Sequence, residues 1–225
     1  MPNSAQFQQK IVDHFLRNQP TTVAQIYMAL YELDNTTNGT SITCGTTTAA
    51  GATEVAVTFA SGVINKFDLI QFSHDVGADG KLRLYEVKNT LSSSGNLEIH
   101  PPLQTAFNTA DGVTITRLVE CGSQAYGNYQ RKEVNFDAVD AQGGTKTDGE
   151  TLYPAVNQVE NGVLSSPVNG RNQIQVKAVA FFAEQNKDAN NFLMWYTPAN
   201  PDKNLDNGDK FSVGDDQGTF TWDYA

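Results

Sequence analysis

Basic charge is what this chain has least of. Its 15 lysines and arginines face 25 aspartates and glutamates, a formal net charge of -10. A phosphate backbone or an anionic membrane needs a basic footprint, so neither nucleic acid nor membrane is expected as a partner. Histidine and cysteine are scarce as well: His14, His74 and His100, with Cys44 and Cys121. None of them has metal-ligand spacing, and one cysteine pair defines no disulfide framework. No metal or cofactor is therefore expected, the histidines read as surface or packing residues, and the cysteines read as free thiols. No run approaches the roughly 20 apolar residues of a membrane span. The opening MPNSAQFQQK carries neither the basic nor the apolar segment of a secretory leader, so a soluble chain without an export signal is expected. A G-x-S-x-G elbow is missing, and aspartates on turns serve turn geometry, so no catalytic residue is assigned and no enzyme is expected.

What is present is enough apolar and aromatic material, 39% and 10% of the residues, for a folded core in 225 residues. The first segment reads as a helix. Asn3 and Gln6 have the spacing of a capping box, Phe7, Ile11 and Phe15 recur every four residues with Val12 and Leu16 beside them, and Pro20 closes the pattern. That stripe must lie on a sheet or on another subunit. VAQIYMALY, residues 23–31, then reads as a core strand, and the small polar stretch after Asp34 as a long connection.

Five strands follow between residues 54 and 119: EVAVTFA, DLIQFS, KLRLYEVKN, NLEIH and VTITRLV, parted by turn signals around Gly62, Gly80, Gly95 and Gly112. Their lengths suggest a small barrel or sandwich, with one helical turn at LQTAF, residues 103–107. Longer strands return in QRKEVNF, QIQVKAVAFFA, NFLMWYTP, DKFSV and GTFTWDYA. In QIQVKAVAFFA, Ile174, Val176, Ala178, Ala180 and Phe182 alternate onto one face.

Two stretches invite ligand readings. In DKNLDNGDKF, Asp202, Asn204 and Asp206 alternate like calcium-loop ligands, but the glycine falls one place late and Val213 stands where a bidentate glutamate would close the loop. It reads as a hairpin turn at Asn207-Gly208. Trp195 and Trp222 could stack on a sugar, although tryptophans within strands alternate into a core or an interface more readily. The sequons at Asn35 and Asn38 carry meaning only in a secretory pathway.

The order of segments FQQKIVDHFLRNQ, VAQIYMALYELD, AYGNYQRKEVNF, RNQIQVKAVAFFAE with NFLMWYTP, and KNLDNGDKFSV before GTFTWDYA resembles a family of tailed-bacteriophage virion proteins described as tail-fibre proteins. The likeness covers the first 34 residues and the last hundred. Residues 35–120 stand where that family has a modest loop, and a W-G-T-like stretch is replaced. DLIQFSHDVGADGKLRLYEVKN and GNLEIHPPLQTAF are similar to a small β module of other phage structural proteins.

The resemblance implies a mainly β fold, an antiparallel β-sandwich with an N-terminal α-helix and an inserted small β-barrel-like domain. The sandwich domain would be discontinuous, residues 1–34 and 121–225, with residues 35–120 inserted and Cys44 and Cys121 near its neck. It implies a non-enzymatic virion component, tail- or fibre-associated, assembled in the host cytoplasm and packing as a homo-oligomer with other virion proteins. Phe7, Ile11, Phe15, Tyr129 and Arg131 are the implied assembly contacts, Arg131 as an intramolecular or intersubunit hydrogen-bonding residue. A capsid-surface decoration protein and a host-glycan-binding module remain alternatives.

Overall fold

The structure, a computed structural model, describes residues 4–17, 25–34, 42–78, 80–121, 131–134, 159–161, 173–185, 192–206 and 211–213. As expected, it is mainly β and antiparallel, with an N-terminal helix and a small barrel; the barrel closes with six strands, and the strands outside it continue the same sheet.

Helix α1 spans Ala5–Leu16. Its cap is Ser4, one place after the expected Asn3. The Ser4 hydroxyl accepts from the Phe7 amide at 3.1 Å, and residue Phe7 at the third helical position offers no reciprocal side chain. The shift has a physical cause. Ser4 is completely buried, its amide donates to the Met194 carbonyl at 2.8 Å and its hydroxyl donates to Leu193, so docking selects the residue that can bond both ways. The helix ends at Arg17, whose amide returns to the Asp13 carbonyl, so it stops before Pro20 is reached.

The barrel is built from β2 (Ile42–Cys44), β3 (Glu54–Thr58), β4 (Leu69–Phe72), β5 (Tyr85–Val87), β6 (Gly95–His100) and β7 (Thr114–Glu120). Their order is β7-β2-β3-β6-β5-β4, and β4 pairs back onto β7 to close the ring. All five strands expected between residues 54 and 119 are present. The sixth, β2, lies inside the stretch expected to be a connection. Alternate residues point inward: Val55 and Val57, Ile70 and Phe72, Tyr85 and Val87, Leu97 and Ile99 all belong to one buried cluster with Phe107. Small barrels are filled by such side chains, so this one is a packed core. The expected helical turn at residues 103–107 is instead an irregular segment, bent at Gln104 and Thr105, whose Phe107 bridges Thr48, and a 3-10 turn follows at Thr109–Asp111. Gly112 then takes φ 60°, a left-handed conformation that favours glycine, before β7 begins.

Outside the barrel the sheet continues from β7 through β1 (Ile26–Leu33) to β10 (Gln173–Phe182) and β11 (Leu193–Asp206), while β8 (Lys132–Val134) also pairs with β1. A separate pair joins β9 (Val159–Asn161) to β12 (Phe211–Val213). One face of this outer sheet packs Met28, Leu30, Val179, Phe181 and Trp195 beneath α1. The other packs Tyr31, Ala178, Ala180, Phe182 and Tyr196 against Leu69, Leu84 and Leu118 on the outer wall of the barrel. Three layers result: helix, sheet and barrel wall.

The uniform alternation expected along β10 is broken. Tyr31 pairs with Ala178 and Glu32 with Val176, so Lys177 is a bulge residue. Val176 thereby joins Val179 and Phe181 under the helix, and Ala178, Ala180 and Phe182 face the barrel. The Asp202–Asp206 segment is part of extended β11, with Asn204 opposite Gln175. The turn expected at Asn207-Gly208 and the segment around Trp222 lie outside the described residues, and β12, the strand after that turn, pairs with β9.

Candidate functional site

Of the five residues implied as assembly contacts, those described do not converge: Phe7 and Arg131 lie on opposite faces of the sheet. Phe7 is half-buried and turned into its own chain, its ring 5.8 Å from Trp195 in edge geometry and 6.5 Å from Phe192. Ile11 is half-buried one turn on, and both the Phe15 side chain and Tyr129 lie outside what is described. Among the described side chains of α1, Val12 at 37% exposure and Leu16 at 79% are the large apolar ones that point outward, beside this stripe. Trp195 stacks on Phe181 at 5.1 Å and is buried, a core residue rather than a sugar platform.

Arg131 lies on the opposite face of the sheet from Phe7. It is 2% exposed and reaches Glu120 in a bidentate pair, Nε to Oε1 at 2.9 Å and Nη2 to Oε2 at 2.8 Å. Its Nη1 donates to the Glu184 carbonyl at 3.1 Å, and its guanidinium sits 3.6 Å above the centre of the Phe182 ring. A planar fork over an aromatic face with a carboxylate in its plane is a fit lysine could not reproduce. Arg131 is thus an intramolecular hydrogen-bonding residue, one of the two roles implied for it.

A second arginine went unmarked in the sequence. Arg117 pairs with Asp34, lies 3.5 Å from Asp68 as a charge contact without hydrogen-bond geometry, and donates to the Val63 carbonyl. The signal was there: Arg117 shares the inward phase of Ile115 on a barrel strand, where a charge demands partners. Glu120 and Asp34 end β7 and follow β1, the two places where the described chain passes between sheet and barrel.

A third polar cluster ties the turn after β4. Asp75 is completely buried and accepts from Arg83, from the Tyr85 hydroxyl and from Thr105 Oγ1 at 2.7 Å. The Tyr85 oxygen accepts from the Gln104 amide at 3.1 Å. Burial first, then its bond to Asp75, pushes the Tyr85 hydroxyl well above its usual pKa. Tyr31 and Tyr196 are likewise raised, burial being the largest cause. His74 sets its ring edge against Phe107 and places Nε2 3.2 Å from the Thr105 carbonyl.

Cys44 sits in the barrel core and Cys121 under the helix, so the two thiols belong to different clusters and do not meet at a neck. Burial pushes the Cys44 thiol up to about 12, which keeps it protonated and inert. Among the described residues no three His, Cys, Asp or Glu side chains are grouped to hold a metal ion, and no helix is long and apolar enough to cross a membrane.

Arginine forks bound within the chain and a filled barrel hold shape, and they define a structural module. The family described as Podophage GP4 fiber I protein gp80 matches residues 2–120, just over half of the 225-residue chain, and the chain belongs to that family. No curated protein and no solved structure matches it. The matched stretch takes in α1, β1 and the whole barrel, and so includes residues 35–120, which the resemblance implies lie outside the shared segments. The protein is a bacteriophage structural component of the tail-fibre kind and a part of the virion.

Proposed function

We infer that the chain is a non-enzymatic building block, tail- or fibre-associated, which works by homo-oligomeric packing with copies of itself and by contact with other virion proteins. The observation that carries this reading is the family match together with the inward use of the polar groups, which leaves shape rather than chemistry as the product of the fold. No cofactor is called for. The division into residues 1–34 with 121–225 and an inserted 35–120 is kept as part of the proposal, supported by separate apolar clusters in the barrel and beneath the helix.

The subunit contact is placed on α1. Because Phe7 turns toward Trp195, the contact surface is the outward side bearing Val12 and Leu16, with Ile11 and Phe15 beside them. Assembly in the host cytoplasm is part of the same proposal, supported by the membership of a phage fibre family.

The test is gold-labelled antibody against this protein on intact particles viewed by electron microscopy, with light scattering on the purified chain. Label at the tail and a mass of several chains are expected. Label over the head would transfer the protein to capsid decoration, and a monomer at every concentration would remove homo-oligomeric packing.

A further inference from the structure

The junction between sheet and barrel contains more charge than its strength requires. Strand β1 meets β7 through three rungs only: Tyr31 with Glu120, Glu32 with Val119, and Leu33 with Leu118. A ladder that short specifies its register weakly, and a slip of one residue would turn every side chain to the other face. Leu118 and Val119 are both apolar and both buried, so hydrophobic pattern alone does little to forbid the slip.

Each end of this ladder carries an arginine and a carboxylate. Beyond Leu33 the next position holds Asp34, whose amide donates to the Arg117 carbonyl at 3.0 Å and whose side chain pairs with the Arg117 guanidinium. At the other end Glu120 grips Arg131, which leads into β8 on the same edge of β1, where Met28 faces Lys132. The paired side chains are 9% and 5% exposed at the first site and 1% and 5% at the second. Arg117 also opposes Ile70 of β4, so its position is shared with the strand that closes the barrel.

Ion pairs this deeply buried commonly contribute no more stability than apolar residues of the same size, yet they permit one arrangement only, because any other leaves a bare charge inside. We propose that the Asp34–Arg117 and Glu120–Arg131 pairs form a double register lock that fixes the barrel on the outer sheet. In a slipped ladder Arg117, which Asp68 and the Val63 carbonyl hold from the barrel side, would lose Asp34, and Glu120 would no longer lie in the plane of the Arg131 fork. The lock acts on the orientation of two packed units, and it stands whether or not the protein assembles through α1.

Hydrogen exchange read by mass spectrometry on the full chain tests this. The variant Asp34→Leu, Asp68→Asn, Arg117→Met, Glu120→Leu, Arg131→Met removes both pairs, and Asp68→Asn removes the charge that the loss of Arg117 would otherwise strand at Asp68. The expected result is a folded chain whose barrel strands β3 and β6 keep their protection, while peptides covering residues 31–33 and 118–120 exchange roughly tenfold faster or as two populations. Exchange of those peptides at the wild-type rate, as one population, would overturn the lock. Should that variant fail to fold, the swap Glu120→Arg with Arg131→Glu decides against Arg131→Glu alone. Protection restored by the swap supports the lock, and protection no better than in the single variant overturns it.

Discussion

Ser4 bonds in two directions at once, capping the Phe7 amide and holding two carbonyls of β11. Replacing it with alanine removes the cap and one of the docking bonds while leaving the backbone amide in place. Ser4→Ala is expected to lower the unfolding free energy by about 1–2 kcal/mol, measured as a shift of the urea midpoint at constant slope. At this scale the sequence was half legible. A capping residue was visible before an amphipathic run, but Asn3 and Ser4 are both good caps, and the choice between them lies in carbonyls 189 residues away. Arg131 stood out for its setting in a basic pair, whereas its partner Glu120 looked like any strand-end acid. Its importance comes from the Phe182 ring and the exclusion of water around the pair, which no local pattern encodes.

Among the elements, α1 is an amphipathic helix that shows its neighbour one stripe and solvent another. Leu16 is 79% exposed, so Leu16→Glu should leave the urea midpoint of an unassociated chain within about 0.5 kcal/mol of wild type. If the helix is a subunit contact, the same substitution lowers the assembled mass seen by light scattering, and an unchanged mass removes Leu16 from the contact. Long alternating strands were legible because a period of two survives in any context. Strand β2 was not, since three residues, Ile42 to Cys44, give too short a pattern amid threonine and glycine. Nor was the bulge at Lys177, because a single extra residue shifts the phase without leaving a mark in composition. The flip it produces explains why Val176 and Ala178 serve opposite faces despite their even spacing.

The whole molecule is three layers around separate apolar clusters, and its buried hydroxyls set one of its limits. Tyr31, Tyr85 and Tyr196 hold their protons above the ordinary value of 10.0 because burial penalises the charged form. The unfolded chain releases those protons near pH 10, so it binds fewer protons than the folded chain above that point, and stability falls as pH rises. The contribution is complete below pH 10 and is lost on the way to each folded value. The Cys44 thiol adds to the fall from its ordinary 9.0 up to about 12. Urea titrations from neutral pH to about pH 11 should show the unfolding free energy declining, by about 1.4 kcal/mol per pH unit for each group passed, and the three buried tyrosines of the chain's eight should withhold their share of the tyrosinate absorbance until the chain unfolds. The full absorbance of all eight tyrosinates near pH 10 in the folded protein would contradict the burial of these side chains. Cys44 in the barrel and Cys121 beneath the helix also divide the molecule between them. A thiol reagent added to the native protein would meet each sulfur only when that part of the structure opens, so the chain carries two built-in clocks that time the breathing of its halves independently.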